Sequence, residues 1–159
     1  SAGGGAHGAA QVSVEALLRD ASPVLEAFGN AKTIRNDNSS RFGKYVCVEY
    51  DGHGGIVGSS TETYLLERSR VVDIGEGERN YHIFYQLLTH EETRTRWRLP
   101  DATGLDMLCH EGKVACVDGV SDVKEFASVV RALEVFGLRQ AEQSAIWRVL
   151  AAVLLLGNV

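Results

Sequence analysis

The stretch "NDNSSRFGK", Asn36 to Lys44, crowds two asparagines, two serines, an arginine and a lysine around one apolar side chain, Phe42. Each residue type has a use beside a phosphate. The hydroxyls of Ser39 and Ser40 can donate to a phosphate oxygen or lend a lone pair to a hard cation such as magnesium. The amides of Asn36 and Asn38 donate without adding charge, and Arg41 is a forked cation that stays protonated. A loop that runs straight into a strand also offers backbone N–H groups to an anion. The plainer reading is a polar turn whose asparagines and serines bond their own backbone. Side-chain chemistry alone leaves both readings standing.

The elements that must hold this loop can be read from periodicity. Val14, Leu17, Leu18 and Ala21 recur at helical spacing. Ser22 before Pro23 reads as a cap that starts a second helix, with Leu25 and Phe28 on its apolar face and Gly29-Asn30 at its end. Tyr45 to Tyr50 is strand-like, "DGHGG" fits a tight reversal, and "IVGSSTETYLL" runs back. "SRVVDI" reads as a short third strand. "RNYHIFYQLL" is helical, with Tyr81, Phe84, Leu87 and Leu88 on one face. Further on, Ser121 caps a helix faced by Phe126, Val129, Val130 and Leu133 and stopped by Gly137. A last helix runs through Ile146, Val149, Leu150 and Val153 to Gly157. Ser1 to Ala10, glycine and alanine with His7 among them, reads as a mobile surface loop. There is no internal repeat.

Composition bounds the rest. The 159 residues are 45% hydrophobic and 23% charged, with a net charge of −5, as expected of one soluble globular domain. A pI near 5.5 argues against a nucleic-acid binder. The longest apolar run, Val149 to Leu156, falls far short of the ~20 residues that span a bilayer, so no transmembrane segment is expected. Cys47, Cys109 and Cys116 lack zinc-knuckle or redox spacing and read as buried free thiols; a metal at Cys109, His110 and Cys116 is the weaker alternative. "NSS" at Asn38 matches a glycosylation acceptor, which is read as accidental. Trp97 within "TRTRWRL" reads as a half-buried anchor on a solvated helix end, able to stack a guanidinium. His82 reads as packing, His53 as an exposed turn residue, and Glu62 and Glu67 as structural. His90 and His110 have no readable partners. Both termini look cut, so the chain is expected to be a piece of a longer protein.

The order of residues adds a resemblance. "AFGNAKTIRNDNSSRFGK" resembles switch I and its approach helix in the myosin motor family. "ETYLLERSRVV" with "GERNYHIFYQLL" resembles the next block of that family, and "DGVSDVKEFASVVRALEVFGL" with "IWRVLAAVLLLGNV" the one after it. The likeness runs in order from about Val14 to Val159. It implies an α/β fold class, part of a P-loop NTPase-like motor domain, with a few strands of the central sheet and transducer surrounded by helices. It divides the chain into loop 1 (1–11), helices leading to switch I (12–35), switch I (36–44), sheet strands and turn (45–74) and the helical upper 50-kDa region (78–159).

The resemblance also implies roles. Asn36 matches the asparagine at the oxygen bridging the terminal phosphates of ATP, and Asn38 lies in the same phosphate-facing loop. Ser39 matches the serine near the γ-phosphate and attacking water, and Ser40 the one whose hydroxyl binds magnesium. Arg41 matches the arginine that pairs with a switch II glutamate and closes the site. Asp37 has no role, and Lys44 stands behind the site or in solvent. The implied parent is a cytoplasmic, actin-bound motor ATPase of the cytoskeleton, carrying light chains or calmodulin on a lever arm. A phosphate-binding loop, G-x-x-x-x-G-K followed by Ser or Thr, is not in the chain. The 159 residues alone are therefore expected to be inactive. The lever arm, converter and switch II are expected downstream. Two alternatives remain, a kinesin-like motor and a catalytically inactive myosin-like scaffold that binds actin.

Overall fold

The computed structural model describes residues 14–159, with side chains from residue 21 onward. The expected loop at Ser1 to Ala10, with His7, lies outside the described residues, and the apolar face at Val14, Leu17 and Leu18 lies outside those with described side chains. The first helix, α1, is Val14–Gly29. It is one helix rather than two. Pro23 sits inside it, so Ser22 is no cap. The proline ring removes a backbone hydrogen bond, at a cost of ~3 kcal/mol. Opposing that cost, the C-terminal half packs: Ala27 is buried, with Val24 and Phe28 beside it against the core.

At Gly29 the chain leaves the helix and forms β1, Asn30–Ala31, antiparallel to β2, Ser39–Ser40. The pairing sets Asn30 opposite Ser40 and Ala31 opposite Ser39. Gly29 has a steric task here. A Cβ on it would stand 2.3 Å from the Phe42 ring, so only glycine lets the ring close over the helix end.

β3, Gly43–Tyr50, and β4, Ile56–Tyr64, form the expected hairpin. Its turn is held by Asp51, whose Oδ1 accepts from the N–H groups of His53 and Gly55 at 2.8 Å each, while Gly54 takes φ 83°. β4 stops where Leu65 turns left-handed, with φ 56°. The third strand expected in "SRVVDI" does not form. Arg68–Val71 is a turn of 3-10 helix, because Arg70 is drawn inward to carboxylates and a carbonyl that a strand would not let it reach.

The rest is helical: α2, His82–Leu88; α3, Glu91–Trp97; α4, Asp122–Val135; and α5, Gln140–Leu156. α2 was expected to be amphipathic, yet every residue from Ile83 to Leu88 is buried. It lies among α1, α3, α4 and α5, so no side of it faces water. Leu105, Met107 and Leu108 join Phe126, Val129, Trp147 and Leu154 in one buried apolar core. α4 starts after Ser121, whose side chain makes no capping bond, and ends before Gly137, at φ 81°. Trp97 is half-buried, with the Arg96 guanidinium 5.3 Å from its ring.

Asn80, fully buried, ties these parts together. Its Nδ2 donates to the carbonyls of Val71 and Met107 at 3.0 and 2.9 Å, and its Oδ1 accepts from Tyr81 N at 2.8 Å. The Tyr85 hydroxyl accepts from Asn80 N and donates to Leu108 O, both at 3.0 Å. The thiols of Cys47 and Cys116 are exposed and that of Cys109 half-buried, correcting the expectation of buried thiols. Cys47 lies on the hairpin, most of whose residues are exposed.

That hairpin is the fold's weak point. Tyr45 is 63% exposed, Val57 58% and Leu65 84%. A two-stranded ribbon without cover is marginal. The isolated chain is expected to bind a hydrophobic dye and to self-associate at micromolar concentration. A monomer with no dye binding and a sharp cooperative melt, by light scattering and calorimetry, would refute this.

Candidate functional site

The loop between β1 and β3 is built from its own polar groups outward. Thr33 and Asn36 close its first turn, Thr33 N donating to Asn36 O at 2.8 Å. Asn36 Oδ1 then accepts from Asn38 N at 2.8 Å, the local bond that asparagine favours in turns. Asn36 is exposed, and its Nδ2 has no partner among the described residues. Lys32 forms an ion pair with Asp37 beside it.

Asn38, although exposed, ties the loop to its neighbours. Its Nδ2 donates to Glu26 Oε2 at 3.0 Å, which fixes the amide's orientation because a carboxylate only accepts. Its Oδ1 accepts from Asn30 Nδ2 at 2.9 Å and lies 3.2 Å from His82 Nε2. An amide oxygen cannot donate, so the His82 ring carries its proton on Nε2. His82, expected only to pack, thus braces the loop from α2. Burial holds its imidazole down, to about 4, and the neighbouring Arg79 charge acts the same way against the pull of Asp122, Glu26 and Asp37.

Ser39, Ser40 and Arg41 follow on the short ladder. Ser40 is exposed and its hydroxyl donates to Phe42 O at 3.0 Å, leaving its oxygen lone pairs unused. Arg41 Nη1 donates to Ser39 Oγ at 3.2 Å, which leaves the serine its own proton to give. Arg41 N donates to Gly29 O at 2.8 Å, which locks the strand to the end of α1. Lys44 is exposed on β3.

Sequence reasoning missed the anchor of this group. Glu67 Oε2 accepts from Arg41 Nε at 2.5 Å and from Arg70 Nε at 2.8 Å. The Arg41 hydrogen bond, against the opposing effect of burial, holds the Glu67 carboxyl below the usual range. Arg70 is buried and also reaches Glu78 at 3.1 Å; burial disfavours its charge, yet the bonds to Glu67 and Glu78 outweigh this and raise it. The "ERSR" spacing, Glu67 three residues before Arg70, signals the local pair. Nothing local signals the reach to Arg41. The same ordering leaves no group of three or more His, Cys, Asp or Glu gathered as a metal site among the described residues.

The site is thus a polar loop, with Asn36 and Ser40 exposed and Ser39 half-buried against a fixed arginine. A family model described as "Myosin head (motor domain)" matches residues 2–159. The chain belongs to the myosin head family. It is 48% identical over 155 residues to Myosin-51 of Schizosaccharomyces pombe, covering 96% of this chain and 10% of that protein. To Myosin-17 of Arabidopsis thaliana it is 48% identical over 157 residues, 98% of this chain and 10% of that one. To the Myosin ID heavy chain of Dictyostelium discoideum it is 47% identical over 148 residues, 92% of this chain and 13% of that one. The chain therefore spans only about a tenth of the length of these curated relatives. Membership sets aside the kinesin-like alternative and agrees with an α/β segment of a myosin motor domain. No helix among the described residues is long and apolar enough to cross a membrane.

The depressed His82 has a measurable consequence. An unfolded histidine titrates near 6.5, but this one holds off its proton until about 4. Between those values the unfolded chain takes up a proton that the folded one refuses, so stability falls as pH falls through that window. In the myosin motor domain that carries this segment, His82→Gln is expected to flatten that part of the stability–pH curve. Denaturant titrations at pH 7 and 4.5 would check it, and an unchanged slope would contradict it.

Proposed function

We propose that this chain supplies the switch I part of a myosin motor ATPase. The carrying observation is the set of donors left free on one loop, Asn36 Nδ2 and the Ser39 hydroxyl, beside exposed Ser40, with Arg41 tied to both Ser39 and Glu67. The donor set fits ATP with magnesium. Ser39 keeps a proton to donate towards the γ-phosphate. Ser40 keeps lone pairs for magnesium. Asn36 keeps an amide for the oxygen between the terminal phosphates. When bound, magnesium neutralises charge on the phosphate oxygens. The chain's residues do the positioning: Arg41 orients Ser39 and meets a carboxylate of switch II, and Asn38 braces the loop on α2 rather than touching phosphate. Phosphoryl transfer depends on such positioning more than on covalent chemistry. A loop ordered by γ-phosphate is also a switch.

In this reading residues 1–11 are loop 1, 12–35 lead to switch I at 36–44, 45–74 are sheet strands and turn, and 78–159 belong to the upper 50-kDa region. The parent works in the cytoplasm on actin filaments, which other parts of the heavy chain grip.

Two tests apply. The 159 residues by themselves are expected to show no magnesium-dependent ATP turnover above buffer, since they lack a phosphate-binding loop. Turnover that falls on Ser40→Ala would overturn that. In the intact heavy chain, Arg41→Glu is expected to leave ATP binding largely unchanged and slow the hydrolysis step by roughly a hundredfold or more, as breaking a buried ion pair typically costs ~3–5 kcal/mol. Exchanging the switch II glutamate for arginine as well should restore part of the rate. Single-turnover quenching decides; hydrolysis at the normal rate in Arg41→Glu removes the role given to this arginine.

A further inference from the structure

The family pattern gives Arg41 a carboxylate partner outside this chain, but the structure supplies one within it. Glu67 stands 26 positions from Arg41 in sequence and bonds its Nε edge. A guanidinium has five N–H donors in a rigid plane. Fastening the Nε edge fixes the plane while leaving the terminal nitrogens to face elsewhere. One of them, Nη1, already donates to Ser39 Oγ at 3.2 Å, and Nη2 has no partner among the described residues.

Glu67 is itself immobilised from several directions. Its backbone N–H donates to Arg41 O at 3.0 Å, and its carbonyl accepts from the Tyr81 hydroxyl at 2.8 Å. Arg70, only 6% exposed, holds the same carboxylate oxygen that Arg41 uses. Arg70 is held in turn by Glu78 and the carbonyl of Arg79. The anchor is therefore tied into the helical body, whereas Arg41 and Ser39 belong to the loop. A surface ion pair between two free side chains would mean little. This carboxylate is pinned by its backbone and by a buried arginine before Arg41 meets it.

We propose that Glu67 is a positioning residue for hydrolysis: it clamps Arg41 by its Nε edge, so that the guanidinium holds Ser39 in place and presents its open edge to the acceptor that arrives when the site closes. The inference rests on the switch I reading above. It assigns Glu67 no contact with nucleotide. Its effect passes through Arg41 alone.

The test uses the intact heavy chain motor and single-turnover kinetics with ATP and magnesium. Glu67→Gln removes the charge and keeps the shape. It is expected to leave the rate of ATP binding within about twofold and to slow the hydrolysis step by roughly tenfold or more, the scale of losing one charge-assisted hydrogen bond. In an Arg41→Ala background the same substitution should add less than about twofold, because the group it positions is gone. Equal slowing in both backgrounds, or slowed ATP binding in step with hydrolysis, would mean that Glu67 only supports the fold, and would overturn the proposal. Should Glu67→Gln fail to fold, Glu67→Asp keeps the charge beside Arg70 but shortens the reach to Arg41. It must then show the selective slowing, and hydrolysis at the full rate would overturn the proposal. If Arg41→Ala itself hydrolyses ATP normally, the switch I reading fails. If Arg41→Ala is slow and Glu67→Gln is not, only the role of Glu67 fails.

Discussion

Four alternating charges, Arg41, Glu67, Arg70 and Glu78, run from the exposed loop into the helical body. Buried Arg70 is the costly member. A guanidinium removed from water needs its donors satisfied, and here two carboxylates and a carbonyl do so. That demand bends the chain at Arg68–Val71 into a helical turn and aims Glu67 back at Arg41. The buried arginine adds a side-chain hold on the carboxylate to the backbone bonds that already fix Glu67 under the loop. The loop's geometry thus follows from the solvation needs of a residue outside it.

The uncharged counterpart is Asn80. Its amide joins the turn at Val71, the start of α2 and the segment at Met107. Arg79 beside it lies 3.8 Å over the Tyr85 ring and donates to Asp122 at 2.8 Å, bringing in α4. A buried amide with its partners in place fixes one arrangement among many that apolar contacts alone would tolerate. The two polar clusters meet through Tyr81, whose backbone serves Asn80 and whose hydroxyl serves Glu67.

What could be read in the sequence was local. The hairpin was legible because "DGHGG" carries its own turn chemistry, and the last two helices because Gly137 and Gly157 follow their apolar spacing. The loop's residue types were legible for the same reason. Three features were not. The two-residue ladder of Asn30–Ala31 with Ser39–Ser40 is too short to leave a periodic trace. Val71 and Val72 favoured a strand, and the tertiary demand of Arg70 overrode them. Pro23 marked a helix start by its usual habit, and the packing of Ala27 and Phe28 carried the helix through. The pairing of Glu67 with Arg41 is a relation between distant positions that neither residue's surroundings encode.

The hairpin also bears on how the loop is assembled. Arg41 and Glu67 flank it, so joining them in an open chain would close a span of 26 positions. Once β3 and β4 pair, Gly43 already stands opposite Tyr64. Only the few residues outside that rung then remain to be ordered. Chain-closure entropy grows with the logarithm of the open length, so the paired ribbon lowers the entropic cost of joining the ion pair. The paired strands thus bring the arginine to its anchor at their base, so the clamp and the hairpin support each other.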